Sequence, residues 1–510
     1  MTRCTQGPVP LLFGKNLDKT QGLIAPGLDD PAFCKQAVSD SRSKMMGLES
    51  QRCQCMILRC QREGCCTARN VQQGTHDATL YVPAVESDAF HDGHCNVGFT
   101  GRKPVDGKPE QPKGWHGSQE APNHQIKFGV PDLKGAHVLD FHVVCCADVG
   151  ESRMKISKVI ARSVLAPMNR PVITGGGSVE KAAFVLVDLE TDVGVTGRSY
   201  VFAVSPVLAK GLKALIEGIG EGLTGLDVAP RPLHEKMWGG LKLAGSEGFI
   251  GWAVAGIDMA IWDACGKHAD MPLYKLLGGE HREINVYNSN GLGLIGPKAA
   301  AAEARELAKG FGAVKVRLGY SDVETDVEAV EAVMGAVPDG MPVMCDYNQC
   351  LSRADAKVRL SEIDDLGLTW IEEPINHDDV DGYATLCAGG ATPIQLGENA
   401  RSPSEIQRLI ASEAADFLMP DVAKIGGITP WMNAAEQCAA SRIKLSTHLF
   451  PEVSLHMMAA SPVAHWLEYV DWAEPFLRRG IEVKNGKAQP IEAPGTGIEW
   501  DEDAIAKLAI

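Results

Sequence analysis

Hydrophobic and polar positions keep no sustained rhythm through the first 153 residues and a regular one after them. Before Met154 no window holds a period of 2 or 3.6 for the length of an ordinary element, and the weak apolar runs at 80–85 and 136–144 do not add up to a core. From Met154 the pattern predicts strands over 155–164, 183–189 and 194–202, then amphipathic helices over 206–218, 232–241 and 247–268. That is an α+β domain over 154–278. After Leu276-Leu277-Gly278-Gly279 the rhythm changes to short strands, each followed by a helix. Strands are expected at 284–289, 313–318, 342–347, 368–372, 393–398, 416–420, 443–448 and 465–469. The helices between them carry start signals: Ser402-Pro403-Ser404-Glu405 is a capping box with Pro at the first helical position, and Thr429-Pro430 opens the next. Eight strands alternating with helices over 279–474 imply a parallel β/α barrel. The last stretch, 475–510, holds one more strand pair and is expected to return to the first domain.

Composition divides the chain at the same place. Of 49 basic and 65 acidic side chains, 17 of each lie in residues 1–153, so the formal net charge of -16 belongs entirely to 154–510. Ten of the 15 cysteines also lie in the first segment. Rich in Gly, Pro, Gln and Ser, that segment reads as a low-order extension that need not belong to the native protein. Cys53, Cys55, Cys60, Cys65 and Cys66 with His91, His94 and Cys95 offer zinc-ligand chemistry, but irregular spacing and the lack of paired CxxC arms argue against a zinc module. Translation is expected to start at Met154, a few codons after Gly150-Glu151, which a purine-rich ribosome-recruiting stretch can encode. Mass spectrometry of the native protein should then find Met154 at the N-terminus, and peptides from 1–153 at normal abundance would refute this. An acidic balance with no basic run of five or more speaks against nucleic acid or anionic membrane as partner. With no run of 18 apolar residues and no signal-peptide order, the expectation is a soluble cytoplasmic protein.

The candidate chemistry sits where a barrel interior should be apolar. In Val314-Lys315-Val316-Arg317-Leu318 the two cations share one face, and packing the apolar face on the outer helices turns both inward. The next strands end in Cys345-Asp346-Tyr347-Asn348, Trp370-Ile371-Glu372-Glu373-Pro374 and Leu396-Gly397-Glu398-Asn399. Asp346, Glu372 and Glu398 thus close three consecutive strands at the functional end of a barrel. One such carboxylate would be an ordinary surface acid. Three in register repel one another unless a cation sits among them, and few hard oxygen ligands with open positions suit Mg²⁺. Met419-Pro420-Asp421 and Ser446-Thr447-His448 follow, a pairing in which the carboxylate can orient the imidazole as a general base. Glu468 turns inward on the eighth strand by the same alternation.

From Met154 to the C-terminus the chain resembles the mandelate racemase subgroup of the enolase superfamily. The resemblance rests on Asp346-Tyr347-Asn348-Gln349, Trp370-Ile371-Glu372-Glu373-Pro374, Met419-Pro420-Asp421 with Lys424-Ile425-Gly426-Gly427, and His448-Leu449-Phe450 running on to His465-Trp466-Leu467-Glu468, in matching order and spacing. It implies an α+β capping domain on a (β/α)7β barrel and a homo-oligomer, commonly an octamer. It also implies a shared step on a small carboxylate substrate: a base removes the proton α to the carboxylate, with Mg²⁺ stabilising the enediolate. The superfamily's Lys or His base working with Mg²⁺ is itself a standard example of acid–base tuning. By resemblance Asp346, Glu372 and Glu398 are the Mg²⁺ ligands, and Asp421 and His448 the dyad. Lys315 contacts the substrate carboxylate, a protonated Glu468 hydrogen-bonds the enediolate, and Asn348 and Ser289 are substrate contacts.

One position departs from the subgroup's namesake, which has a second lysine where this chain has Arg317. Two-base racemisation needs a competent base on each face, and guanidinium is a poor one. A single base suffices for dehydration; alternatively, Arg317 binds a second anionic or hydroxylated group. The early segment 168–178 lacks aromatics and offers Asn169, Arg170 and Thr174, which suit hydroxyls or a distal carboxylate as well as plain solvent exposure. Cys345 and Cys350 border the site without a partner base and are read as packing residues. The expectation is a Mg²⁺-dependent dehydratase converting an aldonate or aldarate to a 2-keto-3-deoxy acid. The alternatives are a racemase or epimerase of a 2-hydroxy acid, or a non-catalytic binding protein with a retained site.

Overall fold

The computed structural model describes residues 154–245 and 247–510, together with three short antiparallel strand pairs between Cys66 and Cys145 that belong to a separate unit. The side chains of residues 1–153, and with them the Cys/His grouping and the expected low-order extension, lie outside the described residues.

A long hairpin opens the described chain. β1 (Ile156–Thr174) pairs antiparallel with β2 (Gly177–Thr191), and β3 (Thr196–Phe202) adds to β2. The run from Ala182 to Val187 is buried without alternation, because β2 is central and covered on both faces. On one face lie α1 (Pro206–Glu221), capped by Ser205, α2 (Pro230–Leu241) and α3 (Phe249–His268). On the other, Phe184 and Tyr200 pack edge-on to each other and against Phe450 and Phe476 from later in the chain. The hairpin runs ten residues beyond the strand end expected at 164, up to a turn at Gly175-Gly176. Pro167 and Pro171 obscure the period there, and pairing resumes only after a register shift between Pro167 and Val172. By length and composition α3 could cross a membrane, yet 72% of its apolar window is buried inside the protein, which makes it a core helix. α4 (Leu273–Leu276) leads into the barrel.

The barrel runs β4 (Ile284–Asn288), α5 (Pro297–Leu307), β5 (Ala313–Arg317), α6 (Val323–Met334), β6 (Val343–Asp346), α7 (Arg353–Ile363), β7 (Ile371–Glu372), α8 (Val380–Gly389), β8 (Ile394–Leu396), α9 (Pro403–Ala411), β9 (Phe417–Leu418), α10 (Ile428–Ser441), β10 (Lys444–Leu445), α11 (Pro451–Ala460) and β11 (Trp466–Tyr469). From β4 to β10 each strand pairs parallel with the next, and β11 pairs with β4. Leu445 N–H to Val463 O (2.9 Å) and Thr447 N–H to Trp466 O (3.2 Å) close the ring, a (β/α)7β barrel. Tyr287, Ala313, Met344 and Trp370 fill its interior below the site. Ala313 therefore faces in, and so do Lys315 and Arg317 on the same face of β5.

After β11 the strand pair β12 (Val483–Lys484) and β13 (Lys487–Ala488) joins the barrel sheet, antiparallel to β4 at Ile284 and Asn285. The chain touches the capping sheet at Phe476 before this pair and returns to that domain after it. Thr496 bonds Asp263 through its N–H (2.7 Å) and hydroxyl (2.8 Å), and α12 (Glu502–Leu508) ends beside β1 with Ile510 N–H on Ser163 O (3.1 Å).

Candidate active site

Three strand ends deliver carboxylates to one point. Asp346 closes β6, Glu372 closes β7 and Glu398 lies two residues past β8; one oxygen of each lies within 4.8 Å of the others. Asp346 and Glu372 are buried, and the Glu398 side chain is 12% exposed. Each is held in place. Asn348, in the left-handed region at φ 46°, donates to Asp346 through its backbone N–H (2.7 Å) and side-chain amide (2.9 Å). Glu372 accepts from Trp370 Nε1 (3.0 Å) and Gln395 Nε2 (3.3 Å), and Glu398 from Lys424 Nζ (3.0 Å). Lys315 Nζ stands among them, 2.6 Å from Glu372, 3.1 Å from Asp346 and 3.0 Å from Glu468.

This donor set fits a hard divalent cation. Burial, Asp346, Glu468 and Glu398 together outweigh the pull of Lys315 and push Glu372 up to about 8, so one ammonium does not balance the cluster. Glu398 goes the other way: against burial, His448, Lys424 and Lys315 hold it well below the usual carboxylate range. Three convergent hard oxygens short of positive charge suit Mg²⁺ better than a soft metal.

Beside the triad, His448 Nδ1 lies 2.6 Å from Asp421 Oδ2. Asp421 Oδ1 in turn accepts the N–H groups of Ala423 (2.7 Å) and Lys424 (2.9 Å). With the Nδ1 proton directed at Asp421, Nε2 faces the site, 3.3 Å from Glu398 Oε2. Burial alone would lower the imidazole pKa; Glu398, Glu468 and Asp421 instead raise it to about 9. Glu468 accepts the N–H of Leu449 at 2.8 Å. Although burial works the other way, Lys315 and His448 hold its carboxyl down to about 2. In the ion-free site Lys315, 3.0 Å away, therefore favours the ionised form of Glu468 over the protonated form that the resemblance implies.

Arg317 turns inward but is already occupied. Its Nη1 donates to Gly291 O (2.6 Å) and its Nη2 to Ser289 O (3.1 Å), so the buried guanidinium braces the loop after β4. Ser289, fully buried in that loop, bonds Glu468 through its side chain. Asn348 spends its amide nitrogen on Asp346, while its buried Oδ1 has no protein partner and can accept a substrate hydroxyl. Arg170 is paired with Glu303 (3.1 Å), and Asn169 donates to Asp471 (2.8 Å). These two dock the hairpin tip on the barrel. Cys345 is buried, its thiol pushed well up by burial and by Asp346, which excludes a nucleophile. Leu449 and Val470, sequence neighbours of His448 and Glu468, join Phe184, Tyr200, Phe202 and Trp472 in lining an apolar cleft between the capping sheet and the barrel.

Sequence reasoning passed over Lys424, Trp370 and Gln395 as site residues. Lys424 alone left a signal, a cation three residues past Asp421 in a strand-end loop.

A metal-ready carboxylate triad, a His–Asp dyad and a buried lysine at the C-terminal mouth of a capped barrel define an enzyme active site. The family described as mandelate racemase/muconate lactonizing enzyme, N-terminal domain, matches residues 156–278, and the enolase C-terminal domain-like family matches 299–504. The chain belongs to the mandelate racemase/muconate lactonizing enzyme subgroup of the enolase superfamily. It is 30% identical over 340 residues, 65% of this chain and 84% of the relative, to an L-talarate/galactarate dehydratase of Salmonella typhimurium LT2. Among solved structures it is similar to an enolase from Bradyrhizobium complexed with magnesium and mandelic acid (38% identity, TM-score 0.68, covering 71% of this chain and 100% of that one). It is also similar to L-talarate dehydratase from Polaromonas sp. JS666 complexed with Mg and L-glucarate (29% identity, TM-score 0.64, 70% and 98% covered).

Proposed function

We propose that this enzyme dehydrates an acid sugar, an aldonate or aldarate, to a 2-keto-3-deoxy acid. The observation that carries the proposal is the asymmetry of the two faces. One has a His448–Asp421 dyad, and the other has Arg317, whose guanidinium is committed to two backbone carbonyls and is a poor base. When bound, Mg²⁺ supplies Lewis-acid stabilisation of the negative charge that develops on the substrate's carboxylate oxygens. Lys315 adds a fixed ammonium beside the same oxygens. In its neutral form His448 takes the α-proton at Nε2, and Asp421 stabilises the resulting imidazolium. The imidazolium then gives that proton to the departing β-hydroxyl, which leaves as water as the C–O bond breaks and a C=C bond forms. The enol tautomerises to the 2-keto acid. Relatives that are dehydratases of talarate and galactarate support this reading.

A second reading is racemisation of an aryl 2-hydroxy acid, favoured by mandelic acid in the Bradyrhizobium relative. Incubation with Mg²⁺ in ²H₂O separates the two. Galactarate or a related acid sugar should lose water to a 2-keto acid; conversion of (R)-mandelate to α-deuterated mandelate of both configurations would overturn the dehydratase reading. Arg317→Lys should release the brace on Gly291 and Ser289 and give partial proton exchange on the second face. If none appears, Arg317 is not the only obstacle to two-base chemistry.

A further inference from the structure

The double glycine of Lys424-Ile425-Gly426-Gly427 abuts the capping domain. Both lie at positive φ, +101° and +119°, and neither has room for a side chain. A Cβ on Gly426 would stand 2.9 Å from Trp238 Cζ2, and one on Gly427 would stand 2.4 Å from Asp258 Oδ2. Both obstructing residues belong to the capping domain, on α2 and α3.

Asp258 is fully buried, and its carboxylate caps a helix of the other domain. α10 begins after Gly427 with no side-chain cap of its own. Asp258 Oδ2 accepts the N–H of Thr429 at 3.0 Å and Oδ1 its hydroxyl at 2.7 Å, while Trp262 Nε1 donates to the same hydroxyl at 2.9 Å. A carboxylate at a helix N-terminus satisfies donors the helix leaves open and opposes the positive end of its dipole. The turn that ends at this anchor starts at Asp421: Ile425 N–H bonds Asp421 O (3.0 Å) and Gly427 N–H bonds Val422 O (2.8 Å). Inside it, the N–H groups of Ala423 and Lys424 orient the Asp421 carboxylate, and Lys424 Nζ reaches both Glu398 Oε1 and Asn399 Oδ1 at 3.0 Å.

We propose that Asp258 is a positioning residue for proton transfer: from the capping domain it pins the turn 421–427, and through that turn it sets the direction of the Asp421 carboxylate that orients His448. The inference rests on the dyad reading above and holds for dehydration and racemisation alike. Misplacing a reacting group by about an ångström costs on the order of 10²-fold in rate.

Asp258→Ala and Asp258→Asn in the full-length protein test it, with galactarate and (R)-mandelate as probes of α-proton exchange in ²H₂O and amide hydrogen exchange read by mass spectrometry. Asp258→Ala should lower kcat about 10²-fold with KM and Mg²⁺ affinity little changed. It should also speed amide exchange across 421–427 while 394–396 stays protected. Asp258→Asn, whose side-chain oxygen can still accept from Thr429, should recover much of kcat. Wild-type kcat in Asp258→Ala, unchanged amide protection at 421–427, or a rise in KM with kcat intact overturns the proposal. If Asp258→Ala does not fold, Thr429→Val removes the hydroxyl shared by Asp258 and Trp262 and is judged by the same readouts. Wild-type inactivity on both acids counts against the proposed function, and amide exchange then decides this inference without a substrate.

Discussion

His448→Asn is expected to eliminate α-proton exchange, lowering it by about 10²–10⁴-fold as the loss of a general base does. Asparagine keeps much of the imidazole's bulk and a donor toward Asp421, so the site is not simply hollowed out. Mg²⁺ affinity should change little, because the hydrogen bonds that hold the triad come from Asn348, Trp370, Gln395 and Lys424, while His448 adds only a 3.3 Å contact from Nε2 to Glu398 Oε2. Deuterium incorporation by NMR and Mg²⁺ titration by calorimetry check the two halves separately. Exchange at the unmutated rate would remove His448 from the mechanism. Joint loss of exchange and metal binding would mean that the dyad and triad are one structural unit.

Lys315→Met should show a different signature, in stability first. The ammonium is 2% exposed and lies within 3.1 Å of Asp346, Glu372 and Glu468. Removing one partner of a buried ion cluster leaves charge uncompensated and costs about 3–5 kcal/mol. In EDTA the variant should therefore melt well below the wild type. Saturating Mg²⁺ brings positive charge back to the same cluster, so the rise in Tm between EDTA and Mg²⁺ should be larger in the variant than in the wild type. Exchange should still fall about 10²–10³-fold, since a bound cation does not replace an oriented donor. Equal melting in EDTA would show that the carboxyl groups are already neutral without the lysine.

Much of this was legible because a barrel strand has a period of two and a functional end. Asp346, Glu372 and Glu398 stand at the ends of three successive strands, 26 residues apart each time, so their convergence could be read without coordinates. Lys315 and Arg317 could be turned inward by alternation alone. Their partners could not. Gly291 and Ser289 meet Arg317 only because the loop after β4 folds back over β5, a path set by backbone at Gly291 (φ 59°) and Leu292 (φ 46°) that no side-chain pattern records. The same holds for Glu468, whose charge depends on an ammonium 153 positions earlier in the chain. The hairpin tip was hidden by its two prolines, and the polar residues there, read as candidates for substrate hydroxyls, include two that hold the tip to the barrel through Glu303 and Asp471. The strand pair at 483–488 was expected, but not its place on β4, because two-residue strands carry no sign of which edge they will join.

The crowding of Asp346, Glu372 and Glu468 around Lys315, with Glu398 beside them on Lys424, also bears on kinetics. An acid arriving at the metal-free mouth would bring one more carboxyl group to a cluster already crowded with them. The ion and the acid should therefore add in a compulsory order, metal first. Raising the acid concentration should then not hasten metal capture, and the departing product should leave the ion behind for the next turnover.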